Sequence, residues 1–458
     1  MSELAKSPVG ATGKLSFMEK VGFGAGDAAC NFLFNPITMF LSFFYTDIFG
    51  LTPAVVATMF LVVRIFDAFF DPIYGAWMDK THSKYGRYRK WMAVFTLPFA
   101  ASCLIMFYTP DLSETGKIVY AFLTYGLLSI LYSCVNIPYC SLGGVITADP
   151  VDRVSCQKFR FVGAGLASLF CTLTLLPLVN FLGDGDRATG FFYTLSIFAV
   201  LAVFLFFFCF FYTRERIMPT ADQAAESLSD SFKKIVKNDQ WFVSTSLMFL
   251  DCIPSFVRGA ASIYFAKYVL GFDDVAASLF LTVGIIANIG GAYLTSYFTN
   301  RWCKVTVYKG VKIACIVLSA LLFIIPSSQV VLIYIVFIVL STIHQIAAPI
   351  IWSFIGDVDD YGAYKLGQRA SGLCASGHLF TLKVALAVGG ALVGFVLSVY
   401  GYEANNATQS EEAISGIYAL MTWIPIIGYL VTFLVTQFFY KLDRPTMAKI
   451  SKALYAQA

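Results

Sequence analysis

The chain has 458 residues, of which 58% are apolar and 13% are charged, and its mean hydropathy is +0.73. An ordinary soluble domain carries about a quarter charged residues and under half apolar ones, and a net charge of +4 is too small for a polyanion-binding surface. These values exclude a soluble enzyme, a disordered protein and a nucleic-acid-binding protein. They predict an all-α polytopic membrane protein, because each crossing of the bilayer needs about 20 apolar helical residues.

Hydropathy predicts twelve transmembrane helices in two six-helix bundles. In chain order the apolar segments lie near residues 20–47, 54–78, 91–109, 117–145, 157–182, 190–212, 241–270, 274–299, 310–326, 330–356, 370–400 and 415–440. We expect an N-terminal bundle over residues 1–213, a cytoplasmic linker over 214–240, a C-terminal bundle over 241–440 and a cytoplasmic tail over 441–458. This layout is typical of transporters built from two repeats with the substrate between them, although no direct repetition is visible in the sequence.

Lysine and arginine are distributed asymmetrically over the predicted loops. With the N-terminus inside, the inner segments carry 24 of these cations, whereas the outer loops carry only Lys117 and Arg187. Because positively charged loops are retained in the cytoplasm, both termini are expected on that side. The predicted location is the cell (inner) membrane, with multiple spans.

The second predicted span carries three charged residues, Arg64, Asp67 and Asp71. Their spacings of three and four place them on one helix face. A charged side chain at mid-bilayer costs about 2.5–3.5 kcal/mol on insertion scales, so each one calls for a functional or structural reason. Two neighbouring carboxylates repel unless a cation lies between them, which is the chemistry of a reversible cation or proton site. The alternative is a structural Arg64–Asp67 pair, with Asp71 near the interface with water.

Other predicted spans also contain charged residues. Arg160 begins the fifth span, and Lys383 lies in the eleventh, five residues after His378. We interpret Arg160 and Lys383 as contacts for a substrate or counter-ion rather than as snorkelling cations. Asp251 and Arg258 lie seven residues apart in the seventh span, roughly on one face, and for them a structural role is at least as well supported.

The remaining polar side chains of the spans give weaker signals. Asp27 follows Gly26 in the first span, and His344 in the tenth is expected to be a hydrogen-bonded interior residue. The segment from Tyr132 to Tyr139 contains Asn136 and suits a sugar, whose hydroxyls need hydrogen bonds and whose apolar face packs on aromatic rings. Ordinary helix packing through polar residues is the alternative. No His, Cys and carboxylate set has metal-ligand spacing, so neither a metal site nor a cofactor is predicted.

Several motifs recur in this order in one family. They are Gly24-Ala25-Gly26-Asp27, Phe44-Tyr45-Thr46-Asp47-Ile48-Phe49-Gly50-Leu51, Arg64-Ile65-Phe66-Asp67 with Asp71-Pro72, Gly86-Arg87-Tyr88-Arg89, Asn136-Ile137-Pro138-Tyr139, and Asp357-Val358-Asp359-Asp360-Tyr361-Gly362 before Gly367-Gln368-Arg369. Together they resemble the glycoside–pentoside–hexuronide:cation symporters, the melibiose-permease-like branch of the major facilitator superfamily. The resemblance covers the whole chain and implies cation-coupled sugar transport.

The resemblance also implies roles for individual residues. Asp67 and Asp71 match the coupling-cation carboxylates, and Ser133 falls where the melibiose carrier has a threonine at its cation site. Arg160 and Lys383 match basic residues near sugar and cation. The expected coupling ion is H+ or Na+.

The sugar site implied by the resemblance includes one match and two departures. Tyr132 matches the sugar-site tyrosine, and His378 is grouped with these substrate-binding candidates. Asn31 and Asn136 stand where the melibiose carrier has acidic residues, and Phe70 stands where it has an asparagine between the aspartates.

These departures lead to two hypotheses. Because Phe70 removes an oxygen that sodium would need, we favour H+ over Na+, although Na+ at Asp67 and Asp71 stays open. The loss of two acidic residues leaves Arg160 and Lys383 less neutralised, so a hexuronide could supply the missing charge. A neutral glycoside or pentoside fits equally if Lys383 pairs with an aspartate of the second span during the cycle.

Two charged motifs are expected at the cytoplasmic side. Asp79, Lys80 and Arg87 belong to one, and Asp357 and Arg369 to the other. They could close that side by pairing across the halves, or serve only as topology anchors. The expected partners are a small sugar or glycoside, a coupling cation and the bilayer, with a monomer as the functional unit.

The sequence leaves two alternative functions. A lipid or lysolipid carrier of the same fold would need an apolar lateral opening. A membrane-embedded transferase would need a catalytic cluster that His82, His344 and His378 do not supply.

Overall fold

The computed structural model describes residues 14–81, 83–217, 233–367, 369–403 and 408–455. Helices account for nearly all of this part of the chain. They are α1 (Phe17–Phe43), α2 (Pro53–Met78), α3 (Arg89–Met106), α4 (Glu114–Val145), α5 (Pro150–Gly183), α6 (Arg187–Tyr212), α7 (Asp239–Tyr264), α8 (Asp274–Arg301), α9 (Lys304–Ile324), α10 (Val330–Leu366), α11 (Ser371–Val399), α12 (Glu411–Met421), α13 (Trp423–Phe439) and α14 (Arg444–Tyr455).

If α12 and α13 are counted as one interrupted span and the short C-terminal helix α14 is set apart, the described residues form twelve helical spans. Nine of them meet both the length and the hydropathy expected of a membrane crossing. The predicted all-α polytopic architecture is confirmed.

Polar capping residues decide where the helices begin. Ser16 and Glu19 form a reciprocal capping box at the start of α1, and Asp149 accepts a hydrogen bond from Val151 N–H at the start of α5. These contacts satisfy N–H groups that have no partner inside the helix. A hydropathy profile does not distinguish such a polar first turn from a loop. The segment was therefore predicted to begin at residue 157, whereas α5 begins at Pro150. Arg160 consequently lies inside α5 rather than at its start.

The chain divides into two compact units. The first unit contains Met1–Ile235, Gly367–Gly377 and Tyr455–Ala458, and the second contains Val236–Leu366 and His378–Leu454. The main division falls within the predicted linker 214–240. The start of α11 belongs to the first unit, although the sequence suggested that the whole range 241–440 forms one bundle.

Both units pair their helices in the same pattern. In the first unit α1 packs on α6, α3 on α4 and α6, and α2 on α4. In the second unit α7 packs on α13, α9 on α10 and α13, and α8 on α10. The first, second, third, fourth and last spans of each unit therefore contact equivalent neighbours, which is the relation expected of two structural repeats.

A local irregularity of the backbone also occurs twice. The first span of each unit ends in one π-helical turn, Phe44–Ile48 in the first unit and Phe265–Val269 in the second. The residue after each turn donates its N–H to the first carbonyl of the turn, over 2.8 Å and 3.1 Å. Gly50 and Gly271 then adopt positive φ angles of 81° and 68°. The repeat that the sequence does not display is thus present in the backbone.

Candidate functional site

The two aspartates of α2 are buried against serine hydroxyls of α4. The Ser129 hydroxyl lies 2.7 Å and 2.8 Å from the two oxygens of Asp67, and the Ser133 hydroxyl lies 2.6 Å from Asp71 Oδ1. Each aspartate is 1% exposed. Both pairs span 62 residues, so α2 and α4 run in the same direction and the two contacts are one helical turn apart.

Ser129 is the member of this set that the sequence interpretation missed. Its four-residue spacing from Ser133 repeats the spacing of Asp67 and Asp71, which would have been a usable signal. The roles of the aspartates and Ser133 in coupling stay predictions.

Phe70 lies beside this carboxylate pair and belongs to an aromatic column on α2. Its ring stacks on those of Phe66 and Tyr74, with centroid distances of 6.0 Å and 5.6 Å. The column gives Phe70 a packing role, and its side chain has no oxygen for a metal ion.

Arg160 of α5 forms a buried ion pair with Asp27 of α1. Arg160 Nε lies 3.2 Å from Asp27 Oδ1, and the two residues are 5% and 7% exposed. The guanidinium also lies 5.4 Å from the centre of the Tyr139 ring. The sequence singled out both charged residues but did not pair them. Asp27 thus supplies a neutralising carboxylate for Arg160 within the first unit.

The other polar candidates of the first unit lie on α1, which carries Asn31, and on α4, which carries Tyr132 and Asn136. Asn136 Nδ2 donates to the Tyr132 hydroxyl over 3.1 Å, and the Tyr132 ring stacks on Phe34 at 5.0 Å. Asn31 donates to the backbone carbonyl of Asp27 over 2.8 Å. The first unit therefore places amide, phenol and guanidinium groups beside aromatic rings, a combination that suits hydrogen bonding and stacking with a sugar.

The remaining substrate-binding candidates, His378 and Lys383, lie on the part of α11 that belongs to the second unit. His378 is fully buried, and its Nε2 lies 3.0 Å from the Ser244 hydroxyl of α7. Lys383 is half-buried. Their proposed contact with substrate stays a prediction.

Asp79 caps the beginning of α11 within the first unit. Its carboxylate accepts hydrogen bonds from Gly372 N–H at 2.8 Å and Leu373 N–H at 3.0 Å, and from the Tyr88 hydroxyl at 2.6 Å. A carboxylate at a helix N-terminus satisfies unpaired N–H groups and is favoured by the helix dipole. The contact requires α2 and α11 to approach closely: a Cβ at Gly372 would lie 2.6 Å from the Gly75 carbonyl oxygen.

Arg87 and Lys80 lie on the loop that follows α2. Arg87 Nη1 is 3.9 Å from Asp79 Oδ1, and Lys80 is half-buried. This loop is anchored by Glu215, which the sequence interpretation did not select. The Glu215 carboxylate accepts hydrogen bonds from the backbone N–H groups of Arg87, Tyr88 and Arg89, with N–O distances of 2.8–2.9 Å. Burial raises the pKa of Glu215, against the lowering effect of these backbone hydrogen bonds.

Asp357, assigned to a cytoplasmic gating motif, lies inside α10 and forms an ion pair with Lys304 at 2.5 Å. Both residues belong to the second unit. Lys304, expected in a loop, is the first residue of α9. Arg369 is half-buried in the segment before α11. Pairing of these motifs across the halves stays a prediction.

The second unit buries a further ion pair. Lys312 of α9 pairs with Asp251 of α7, and the Tyr308 hydroxyl donates to Asp251 Oδ2 over 3.0 Å. The sequence interpretation missed Lys312. His344 is buried in α10, and its Nε2 has no hydrogen-bond partner among the described residues.

The second unit also contains an apolar cavity of about 370 Å³ between α8, α9 and α10. Phe298, Trp302 and Ile343 contribute to its walls, and Thr306 supplies a hydroxyl. A lipid carrier would require an apolar surface of this kind, but such cavities also arise from ordinary helix packing.

The twelve helical spans of the described residues and their repeated packing are those of the major facilitator fold. The crystal structure of the major facilitator superfamily transporter FucP in the outward conformation superposes with a TM-score of 0.68, covering 93% of this chain and 98% of FucP. At 16% sequence identity this likeness shows the fold alone.

Sequence comparison assigns the chain more closely. It belongs to the family described as MFS/sugar transport protein, which matches residues 22–444. The inner membrane symporter YicJ of Escherichia coli (strain K12) is 38% identical over 440 residues, covering 96% of this chain and 95% of YicJ. The isoprimeverose transporter of Lactiplantibacillus pentosus is 33% identical, covering 93% and 89%. The resemblance to the glycoside–pentoside–hexuronide:cation symporters is confirmed.

Proposed function

We propose that this sugar transporter couples the uptake of a neutral glycoside or pentoside to the entry of a proton. The observation that carries the proposal is the pair of buried carboxylates, Asp67 and Asp71, each hydrogen-bonded to a serine hydroxyl. An ionised carboxylate is costly when it is buried in this way. Binding of a proton or cation removes or compensates that charge, so it stabilises the buried site strongly.

The serine partners support a proton rather than a sodium ion. A hydroxyl donates to an ionised carboxylate and, after rotation, accepts from a protonated one. Ser129 and Ser133 therefore accommodate both protonation states without rearrangement of α2 or α4. Sodium would need several oxygen ligands, and Phe70 supplies none at the position where the melibiose carrier has an asparagine.

The ion pair between Asp27 and Arg160 supports a neutral sugar. Because Arg160 is already neutralised at 3.2 Å, it does not require a substrate carboxylate. Tyr132, Asn31 and Asn136 would then hydrogen-bond the sugar hydroxyls. The name of YagG, a putative glycoside/cation symporter 36% identical to this chain, and that of the isoprimeverose transporter agree with this substrate class.

The proposed cycle follows from thermodynamic linkage. If protonation near Asp71 favours sugar binding, sugar must raise the affinity for the proton by the same factor. We expect alternating access, a monomeric functional unit, the inner membrane as the location and both termini in the cytoplasm.

The test replaces one coupling carboxylate. Purified Asp71→Asn protein in proteoliposomes should lose uphill accumulation of a labelled glycoside while retaining sugar exchange at equal concentrations, because exchange requires no net proton movement. The exposed Asp111→Asn variant is the matched control. An Asp71→Asn protein that still concentrates its sugar contradicts the assignment.

Ion and sugar are tested separately on the unaltered protein. Uptake should follow an imposed proton gradient and not a sodium gradient at fixed pH, and xylosides should compete with the labelled sugar better than glucuronides. Accumulation driven by sodium alone would reject the proton, and stronger competition by glucuronides would reject the neutral sugar.

A further inference from the structure

Near the middle of α7 the second unit buries two cations, Lys312 and Arg258, beside one carboxylate, that of Asp251. Lys312, which is fully buried, is neutralised by Asp251. Arg258 is 6% exposed and forms no ion pair with any described residue. An uncompensated cation in a low-dielectric bundle costs several kcal/mol in effective desolvation penalty. Arg258 therefore calls for a negative partner.

Arg258 is accompanied by polar atoms that also lack hydrogen-bond partners among the described residues. These atoms are Arg258 Nη1 on α7, Ser319 Oγ on α9, His344 Nε2 on α10 and Tyr429 Oη on α13. Each is a donor or becomes one in a suitable tautomer or rotamer. Most buried polar groups are satisfied, so four such donors in one bundle indicate a missing acceptor.

Helix direction helps to place these donors. The first turns of α7 and α9 both contact the last part of α10: Asp239 binds Lys365 at 2.7 Å, and Lys304 donates to Ser353 over 3.3 Å. Since both helices are antiparallel to α10, α7 and α9 run in the same direction.

The contact between Asp251 and Lys312 then sets the register of α7 against α9. Seven residues further along each helix, about 10.5 Å higher, come Arg258 and Ser319. These two donors therefore lie at the same level of the bundle.

Tyr429 and His344 connect this level to the ion pair. Their ring centres are 5.5 Å apart, and Lys312 Nζ lies 5.6 Å from the centre of the Tyr429 ring. Because α10 is antiparallel to α7 and Lys365 pairs with Asp239, His344, 21 residues before Lys365, lies at nearly the same level as Arg258, 19 residues after Asp239. The four donors thus belong to one cluster rather than to separate sites.

From this cluster we infer that the second unit binds a small monovalent anion, of about the size of chloride, beside Arg258 and His344. Those two residues keep 6% and 7% of their surface accessible, whereas Ser319 and Tyr429 keep none, so an entering anion would meet Arg258 and His344 first. A water molecule could satisfy hydrogen bonds but would leave the charge uncompensated. The anion would fix α7 against α10, two helices of the second unit.

The test measures thermal unfolding of the full-length purified protein in potassium gluconate, titrated with potassium chloride at constant ionic strength. Chloride should raise Tm saturably by a few degrees, on the order expected for a ligand that binds only the folded state. Arg258→Gln should abolish the response. The matched control is Arg301→Gln, which removes an exposed guanidinium stacked 3.8 Å from the centre of the Tyr297 ring. This variant should show the same rise of Tm with chloride as the unaltered protein.

Two milder variants keep the proposal testable if Arg258→Gln fails to fold. Ser319→Ala and Tyr429→Phe each remove one donor to an anion and should raise the half-saturating chloride concentration about tenfold. The exposed Ser415→Ala variant should match the unaltered protein. A Tm that does not depend on chloride, or an equal response in Arg258→Gln, overturns the proposal. A response to glucuronate without one to chloride also overturns it, because the acceptor would then belong to a sugar carboxylate.

Discussion

The two units share a backbone plan but differ in where they place buried charge. In the first unit the ion pair Asp27–Arg160 joins α1 to α5, and two further carboxylates are held by hydroxyls of α4. In the second unit the pair Asp251–Lys312 joins α7 to α9, and Arg258 has no carboxylate partner in the part of the chain that the structure describes. The repeated packing thus fixes the architecture, whereas the choice of polar side chains gives each unit its own chemistry. We expect carboxylate titration in the first unit and anion binding in the second.

The largest expected effect on stability comes from breaking the Asp251–Lys312 ion pair of the second unit. Asp251→Asn leaves the fully buried Lys312 without its carboxylate, which should lower the free energy of unfolding by about 3–5 kcal/mol. Thermal or denaturant unfolding of the purified protein measures this loss.

The matched control is Asp239→Asn, which breaks a pair whose side chains are 43% and 45% exposed and should cost under about 1 kcal/mol. The double variant Asp251→Asn with Lys312→Met should recover most of the loss, because it removes the stranded charge. Equal losses in the Asp251 and Asp239 variants would show that the buried pair is not the stronger contact.

The next largest effect on stability concerns the close approach of Gly75 in α2 to Gly372 in α11, both in the first unit. Gly75→Ala or Gly372→Ala places a Cβ within 2.7 Å or 2.6 Å of the opposite carbonyl oxygen, so α2 and α11 must separate. Overpacking of this kind costs about 1–3 kcal/mol, and we expect lower Tm and slower uptake. Gly126→Ala in α4, where a Cβ meets nothing within 4 Å, should change neither quantity appreciably. If all three variants behave alike, the close approach is not required.

A smaller effect tests the repeat itself. Gly50→Ala and Gly271→Ala each place a side chain on a residue with positive φ, in open space. Backbone strain alone should cost about 1–2 kcal/mol in each case, and thermal unfolding should give nearly equal losses. Clearly unequal losses would mean that the two π-helical turns contribute differently to stability despite their shared geometry.

The smallest effect is a pH dependence in the first unit. Burial raises the pKa of Glu215, so above its ordinary value of 4.5 the unfolded chain releases this proton more readily than the folded one. Stability contributed by the protonated group is therefore present at low pH and is lost as pH rises through the folded pKa. Relative to Glu215→Gln, the Tm of the unaltered protein should fall as pH increases from about 4.5 upward. A constant difference between the two proteins would contradict the raised pKa.

The sequence interpretation located polar residues more reliably than it identified their partners. It selected Asp27 and Arg160 separately and grouped Asp251 with Arg258 by spacing along one helix. The structure instead pairs each aspartate with a cation on another helix, 133 residues away for Asp27 and 61 for Asp251. Spacing along a helix reports only which residues share a face, and it contains no information about the neighbour that packs on that face.

The sequence by itself determined the number of spans and their class, because hydropathy and helix length are local properties set by the thickness of the bilayer. It also selected the carboxylates of α2, since a charge within an apolar run is conspicuous wherever the helix packs. Only the tertiary structure decided that Asp79 caps α11, that Glu215 anchors the loop after α2 and that Arg258 is left without a negative partner among the described residues. Each of these outcomes depends on helices far apart in the chain being brought together by packing, which local sequence patterns do not encode.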